Sequence, residues 1–167
     1  MTEEKNQTKK KVYVETTVVS DATALPTNDL ALVGRQVETR KWWATAAERF
    51  DLFVSPVVRR EAAKGDPDAA KRRLEALASL PDVELTIEAG RLAEKLVEAG
   101  AVPAKFKEDA LHIAIAAVWR IDYLVSWNFR HITNAQMIPK IKKVCADCGY
   151  VSAEICTPQM ISEGGPQ

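Results

Sequence analysis

Short apolar runs alternate with longer helical patterns along most of this chain. Lys11–Val14, Asp51–Val54, Val83–Leu85, Asp122–Ser126 and Glu154–Cys156 each have the length and apolar character of a short buried strand. Between them lie helical patterns. Asp29–Phe50 is a long one, set off by the break Pro26-Thr27-Asn28. Ser55-Pro56 reads as a helix start, with Ser capping free N–H groups and Pro preset for the first helical position. Gly65-Asp66-Pro67 stops that helix and opens another that runs to about Leu80. Ile87–Ala99 is closed by Gly100, Lys105–Trp119 is too long for a strand and rich in Ala, Leu and Ile, and Asn134–Cys145 ends near Gly149. Strands alternating with helices predict an α/β fold of three layers, α/β/α, around a central, mostly parallel sheet of about five short strands.

The 167 residues suit one domain, expected over residues 11–160 between tails at 1–10 and 161–167 that are expected to be disordered. Apolar residues make up 47% of the chain, yet no run approaches the roughly 20 that a membrane span needs. The polar, lysine-rich start has no apolar core of a secretory signal, so the expected location is cytoplasmic. Lys plus Arg and Asp plus Glu both number 23, so charge alone does not point to nucleic acid. Basic clusters at Lys9–Lys11, Arg59-Arg60, Lys71–Arg73 and Lys140–Lys143 are expected to be solvated faces. The three cysteines, Cys145, Cys148 and Cys156, form neither a disulfide framework nor a zinc pattern, and are expected to be buried or idle thiols.

Four polar residues stand beside apolar segments. Glu15 ends the first strand run, Glu61 follows Ser55-Pro56-Val57-Val58, Asp109 heads an apolar helix, and Asn128 follows Tyr123–Trp127. Acidic groups avoid burial unless paired or bound to a cation, so the set predicts one oxygen-lined site for a hard divalent ion. Glu15, Asn128 and Glu61 fall near the carboxyl ends of strands, where open parallel sheets bind ligands. Helical spacing turns the two helix acids inward: Asp109 shares a face with Ile113 and Ala116, and Glu61 with Val57 and Val58.

These segments resemble the four motifs of PIN domains, most closely the VapC-like toxin nucleases of bacterial toxin–antitoxin pairs. The similarity runs through Val12–Ser20, Ser55–Glu61, Glu108–Ala114 and Asp122–Asn128, and covers roughly residues 11–158. It departs at two positions: the first acid is usually Asp and here is Glu15, and the fourth is often Asp and here is Asn128. Three formal negative charges remain, enough for one Mg²⁺.

The resemblance implies a PIN-like fold and an endoribonuclease dependent on Mg²⁺ or Mn²⁺. It casts Glu15, Glu61, Asp109 and Asn128 as catalytic, with Glu15, Asp109 and Glu61 on the metal. Glu61 would also orient or deprotonate the attacking water, and Asn128 would position the phosphate. Cleavage would leave a 5′-phosphate and a 3′-hydroxyl. Thr16, Thr17, His112 and Arg130 are candidates for substrate contact or for supporting the ligands, although a core role suits His112 and loop solvation suits Arg130. RNA, a small antitoxin protein and a second copy of the chain are the implied partners. The rival reading is a weak or inactive PIN-fold module that binds RNA or a protein, and Glu15 and Asn128 are the residues that favour it.

Overall fold

A computed structural model describes residues 8–162. Four strands, β1 (Lys10–Val14), β2 (Phe50–Phe53), β3 (Tyr123–Val125) and β4 (Glu154–Cys156), form one sheet in the order β2-β1-β3-β4. Every pairing is parallel, with Val12 opposite both Leu52 and Tyr123, and Val125 opposite Cys156. Four of the expected strands are therefore present, within a residue or two at their ends.

The fifth is not. Val83–Leu85 contributes only the edge of an isolated parallel bridge between Val54 and Asp82, closed by Val54 N–H to Pro81 O and Val83 N–H to Val54 O. Pro81 brings no N–H, and of the three residues only Val83 is buried, so nothing extends the pairing.

Among the described residues seven helices connect and cover the strands: α1 (Thr16–Thr23), α2 (Leu30–Arg49), α3 (Pro56–Ala62), α4 (Pro67–Leu77), α5 (Ile87–Glu98), α6 (Lys107–Val118) and α7 (Ile138–Asp147). Several of the starts carry a local cap, of which Ser55 was expected from the sequence. Asp29 caps α2, Ser55 caps α3 ahead of Pro56, and Asp66 caps α4 ahead of Pro67. Gly100 follows α5 at φ +71°, a conformation that a β-carbon disfavours. Helix α7 starts later than expected, at Ile138 instead of Asn134, because Asn134 Oδ1 accepts from Gln136 N–H and holds a turn there.

Helix α1 is the element that the pattern did not predict. Its segment Thr16-Thr17-Val18-Val19 is β-branched and intrinsically a poor helix former. Tertiary context overrides that preference: Glu15 caps it through Thr17 N–H, and Val18 and Val19 are fully buried.

Helices α1 and α2 pack on each other, and α5 packs on α6 and α7. With this parallel strand order, the right-handed crossover rule puts these two groups on opposite faces of the sheet, consistent with three layers. The buried strands β1 and β3 lie at its centre, with Val12, Tyr13, Val14, Leu124 and Val125 wholly inside. From β1 the chain crosses to one side and from β3 to the other. The carboxyl ends of these two strands are therefore the switch point where a crevice opens.

Away from this crevice, several cations expected to be merely solvated join the framework. Arg59 donates to the carbonyls of Leu77 and Leu80 and to Asp82, and Arg73 to those of Ala62 and Lys64. Trp42 is buried and meets Trp43 edge-on, as a core pair. Cys145 and Cys156 are buried, Cys148 is exposed, and all three are free. Strand β1 begins at Lys10 and a 3₁₀ turn runs Pro158–Ile161, so regular structure reaches residues 10 and 161. The rest of the two expected tails, 1–7 and 163–167, lies outside the described residues. No helix among them is long and apolar enough to cross a membrane.

Candidate functional site

The crevice at the ends of β1 and β3 is a cleft of about 390 Å³. Glu15, Thr16, Thr17, Glu61, Asp109 and Asn128 all line it. Four separate stretches of sequence thus converge: the β1–α1 junction, the last turn of α3, the first turn of α6 and the loop after β3.

Glu15 is almost fully buried at the end of β1. Its Oε2 accepts three donors: Thr17 N–H at 3.1 Å, the Thr17 hydroxyl at 2.5 Å and the Ser126 hydroxyl at 2.8 Å. Main-chain pairing fixes the same junction, since Glu15 N–H donates to Val125 O. Burial raises the pKa of Glu15, and the neighbouring Glu61 charge adds to this. His112 and the hydroxyls of Thr17 and Ser126 offset only part of it. With Oε2 occupied, Oε1 is the oxygen left for a ligand.

Glu61 is held from the opposite side. Its Oε1 accepts from the Thr16 hydroxyl at 2.9 Å and lies 2.5 Å from His112 Nε2. A carboxylate only accepts, so Nε2 carries the proton. On the far side of the ring, Nδ1 lies 2.7 Å from the Tyr13 hydroxyl, which lies 2.7 Å from Ser55 Oγ. In the neutral ring Nδ1 accepts from Tyr13, and Tyr13 accepts from Ser55. Ring protonation reverses both bonds without parting the groups. Tyr13, Ser55 and His112 are all completely buried.

The electrostatics follow from this geometry. Burial alone would lower the His112 pKa, but the Glu61 hydrogen bond and the charges of Glu15, Glu61 and Asp109 raise it instead. For Glu61 burial acts upward, and the His112 contact together with Thr16 and Lys64 outweighs it, so its pKa falls.

Asp109 sits in the first turn of α6, where an acid also favours the helix dipole. Burial raises its pKa, while the Asn128 side-chain amide works in the opposite direction. Asn128 is oriented by its own loop: Oδ1 accepts from His131 N–H at 3.0 Å, and its main-chain N–H donates to Ser126 Oγ at 2.9 Å. The amide NH₂ is therefore the end available to Asp109. Asn128 supplies a donor to the acid cluster rather than another anionic oxygen.

The supporting residues sort themselves. Thr17 serves Glu15 and Thr16 serves Glu61, so both threonine hydroxyls already hold carboxylates. His112 supports Glu61 across space, not Asp109 on its own helix. Arg130 is exposed on the turn after Asn128, where its carbonyl accepts from Asn134, and it does not line the cleft. Ser20, Asp21, Arg35 and Lys64 also line it and were not singled out from sequence. Asp21 and Arg35 form a two-point ion pair at 2.8 and 3.2 Å. Ser126 and Tyr13, each buried on the acids' supporting network, gave no signal beyond their place in apolar strands.

The donor set fits a hard divalent cation. Glu15 and Glu61 each turn one oxygen to donors and keep the other free among the described residues. Ligand-type atoms of Glu15, Glu61 and His112 lie within 4.8 Å of one another. His112 is excluded as a ligand, because its Nε2 proton faces Glu61 and Nδ1 is taken by Tyr13. Asp109 lines the same cleft outside that grouping. Burial disfavours the charged forms of Glu15 and Asp109, which a nearby positive charge would offset, and oxygen donors suit Mg²⁺ or Mn²⁺.

Comparison with protein-family models, curated proteins and solved structures returned no match.

Proposed function

We propose that this chain is a PIN-type endoribonuclease dependent on Mg²⁺ or Mn²⁺, acting as the toxin of a cytoplasmic toxin–antitoxin pair. One observation carries the reading: Glu15, Glu61 and Asp109, far apart in sequence, line a single cleft at the switch point of a parallel sheet. Glu15 and Glu61 would hold the cation through their free oxygens, with Asp109 completing the negative set. When bound, the cation supplies charge neutralisation at a phosphodiester and acidifies water beside it.

The chain's own groups do the rest. His112 and Thr16 fix one oxygen of Glu61, and its other oxygen, placed to hold the cation, would orient the attacking water beside it. Ser126 and Thr17 fix Glu15 in the same way. Asn128 steadies Asp109 and Arg35 offers charge to the phosphate chain.

The test is cleavage of single-stranded RNA by purified protein with Mg²⁺ or Mn²⁺. Cleavage is expected to stop with EDTA and with Asp109→Asn. Activity that survives Asp109→Asn sinks the assignment. A small antitoxin and a homodimer belong to the same proposal, and co-purification with the product of a neighbouring reading frame tests the first.

The rival, a binding module without catalysis, draws support from Asn128. Its oxygen is committed to the His131 N–H, so Asn128 adds no anionic oxygen to those of Glu15, Glu61 and Asp109. RNA binding that needs no divalent metal and leads to no cleavage would favour it.

A further inference from the structure

An acid-lined cleft repels a nucleic-acid strand unless cations and stacking surfaces guide the strand past it. Arg35 is placed for this. It lines the acid cleft together with Glu15, Asp109 and Asn128, and it also lines an adjoining hollow of about 430 Å³ with Gly34, Val37, Glu38, Trp127 and Gln159. The guanidinium spends Nε and Nη2 on Asp21, and its carbon lies 5.5 Å from the centre of the Trp127 ring. Nη1 makes no hydrogen bond among the described residues.

Trp127 is itself immobilised. Its Nε1 donates to Thr39 at 2.8 Å and its main-chain N–H to the Thr17 hydroxyl at 2.9 Å. Edge-on against it, at 5.9 Å between centres, stands Phe129, the residue after Asn128. Phe129 is 52% exposed. A lone exposed Phe is ordinary. This one is backed by a fixed Trp, whose ring also meets the guanidinium of Arg35, and it follows a residue of the acid cleft.

We propose that Arg35, Trp127 and Phe129, with the hollow beside Gly34, form a subsite for an unstacked nucleotide of single-stranded RNA next to the acid cleft. Arg35 takes the backbone phosphate and Phe129 stacks on the base. Duplex bases are already stacked and offer no face to such a ring, which selects single strands. The choice of RNA as ligand rests on the nuclease reading, whereas the subsite itself is tested by binding.

The probe is a fluorescently labelled short single-stranded RNA, followed by anisotropy in Ca²⁺, with gels showing that it stays intact. Phe129→Ala is expected to weaken binding at least about fivefold, and Phe129→Trp to retain it. Gly34→Leu is an independent block. A β-carbon there meets nothing within 4 Å, and a helical Gly gains from the change, so the fold tolerates it while the hollow fills. It too is expected to weaken RNA binding. Phe129→Ala should keep the wild-type melting temperature, Gly34→Leu should match or exceed it, and both should keep wild-type Mn²⁺ affinity by calorimetry.

Absence of RNA binding by the wild type, or unchanged binding in both variants, overturns the subsite. So does a change in oligomeric state with RNA affinity unaltered, which would mark Phe129 as a protein contact. Losses that only follow a fall in melting temperature overturn it as well. RNA that binds through Phe129 and is never cut under Mg²⁺ or Mn²⁺ supports the subsite and defeats the nuclease reading.

Discussion

His112 Nε2 and Glu61 Oε1 are 2.5 Å apart, and the histidine ring is wholly buried while the glutamate opens to the cleft. The ring passes the rigidity of the core, through Tyr13 and Ser55, to a carboxylate that works at the surface.

His112→Ala is therefore expected to cost two things. Urea denaturation should show a loss of about 2–4 kcal/mol, from the cavity and the stranded Tyr13 hydroxyl. Mn²⁺ affinity should fall about 10- to 100-fold at a temperature where the variant is still folded. Unchanged Mn²⁺ affinity in the folded variant would show that His112 serves the core alone.

Divalent metal should stabilise the wild type in proportion to its occupancy. At about 100 times its dissociation constant, Mn²⁺ is expected to add about 2.7 kcal/mol, and EDTA to remove it. Glu15→Gln and Asp109→Asn should lose most of this gain in thermal melts. A full gain in either variant places the ion elsewhere.

Asn128→Asp exchanges the donor facing Asp109 for a third kind of neighbour, a like charge. Without metal the variant is expected to melt lower than the wild type at neutral pH, and with Mn²⁺ to show the larger upward shift. Calorimetry of Mn²⁺ binding checks this, and weaker binding than wild type contradicts it.

Glu15 should leave a mark on the pH dependence of the metal-free protein. Its folded pKa lies above its ordinary value of 4.5, so the native state holds a proton that the unfolded chain has released. Stability is then lost as pH rises from about 4.5 toward the raised value, the opposite of an ordinary salt-bridged carboxylate. Denaturation in EDTA, compared with Glu15→Gln, should show the variant gaining on the wild type across that window. A difference that is flat with pH would refute it.

The thiols should separate by burial. Burial pushes Cys145 up to about 11 and Cys156 up to about 12, and only the thiolate is nucleophilic. Cys148 is exposed, so iodoacetamide in native conditions is expected to label Cys148 alone by mass spectrometry, with Cys145 and Cys156 following on unfolding. Early labelling of Cys156 would contradict the packing of β4.

Much of this was legible from local pattern. The cap at Ser55, and the apolar runs of β1, β2, β3 and β4, rest on interactions within a few residues, which is why sequence reveals them. The inward facing of Glu61 and Asp109 was likewise legible, because helical periodicity alone sets which neighbours share a face. Two readings failed for one reason. Val83–Leu85 looks like a strand and α1 does not look like a helix. In each the outcome was decided by distant contacts: what Val54 leaves available for pairing, and what Glu15 and the core do for Thr16–Thr23.

The sequence by itself determined most of the elements, the oxygen-bearing residues and their placement at element ends, since propensity, capping and periodicity are local. Only the tertiary structure decided the partners. That Thr16 holds Glu61, that His112 reaches across to Glu61, and that Ser126 holds Glu15 depend on contacts 45, 51 and 111 residues apart. Hydrogen bonds act over about 3 Å, so only the packed chain determines which donor meets which carboxylate.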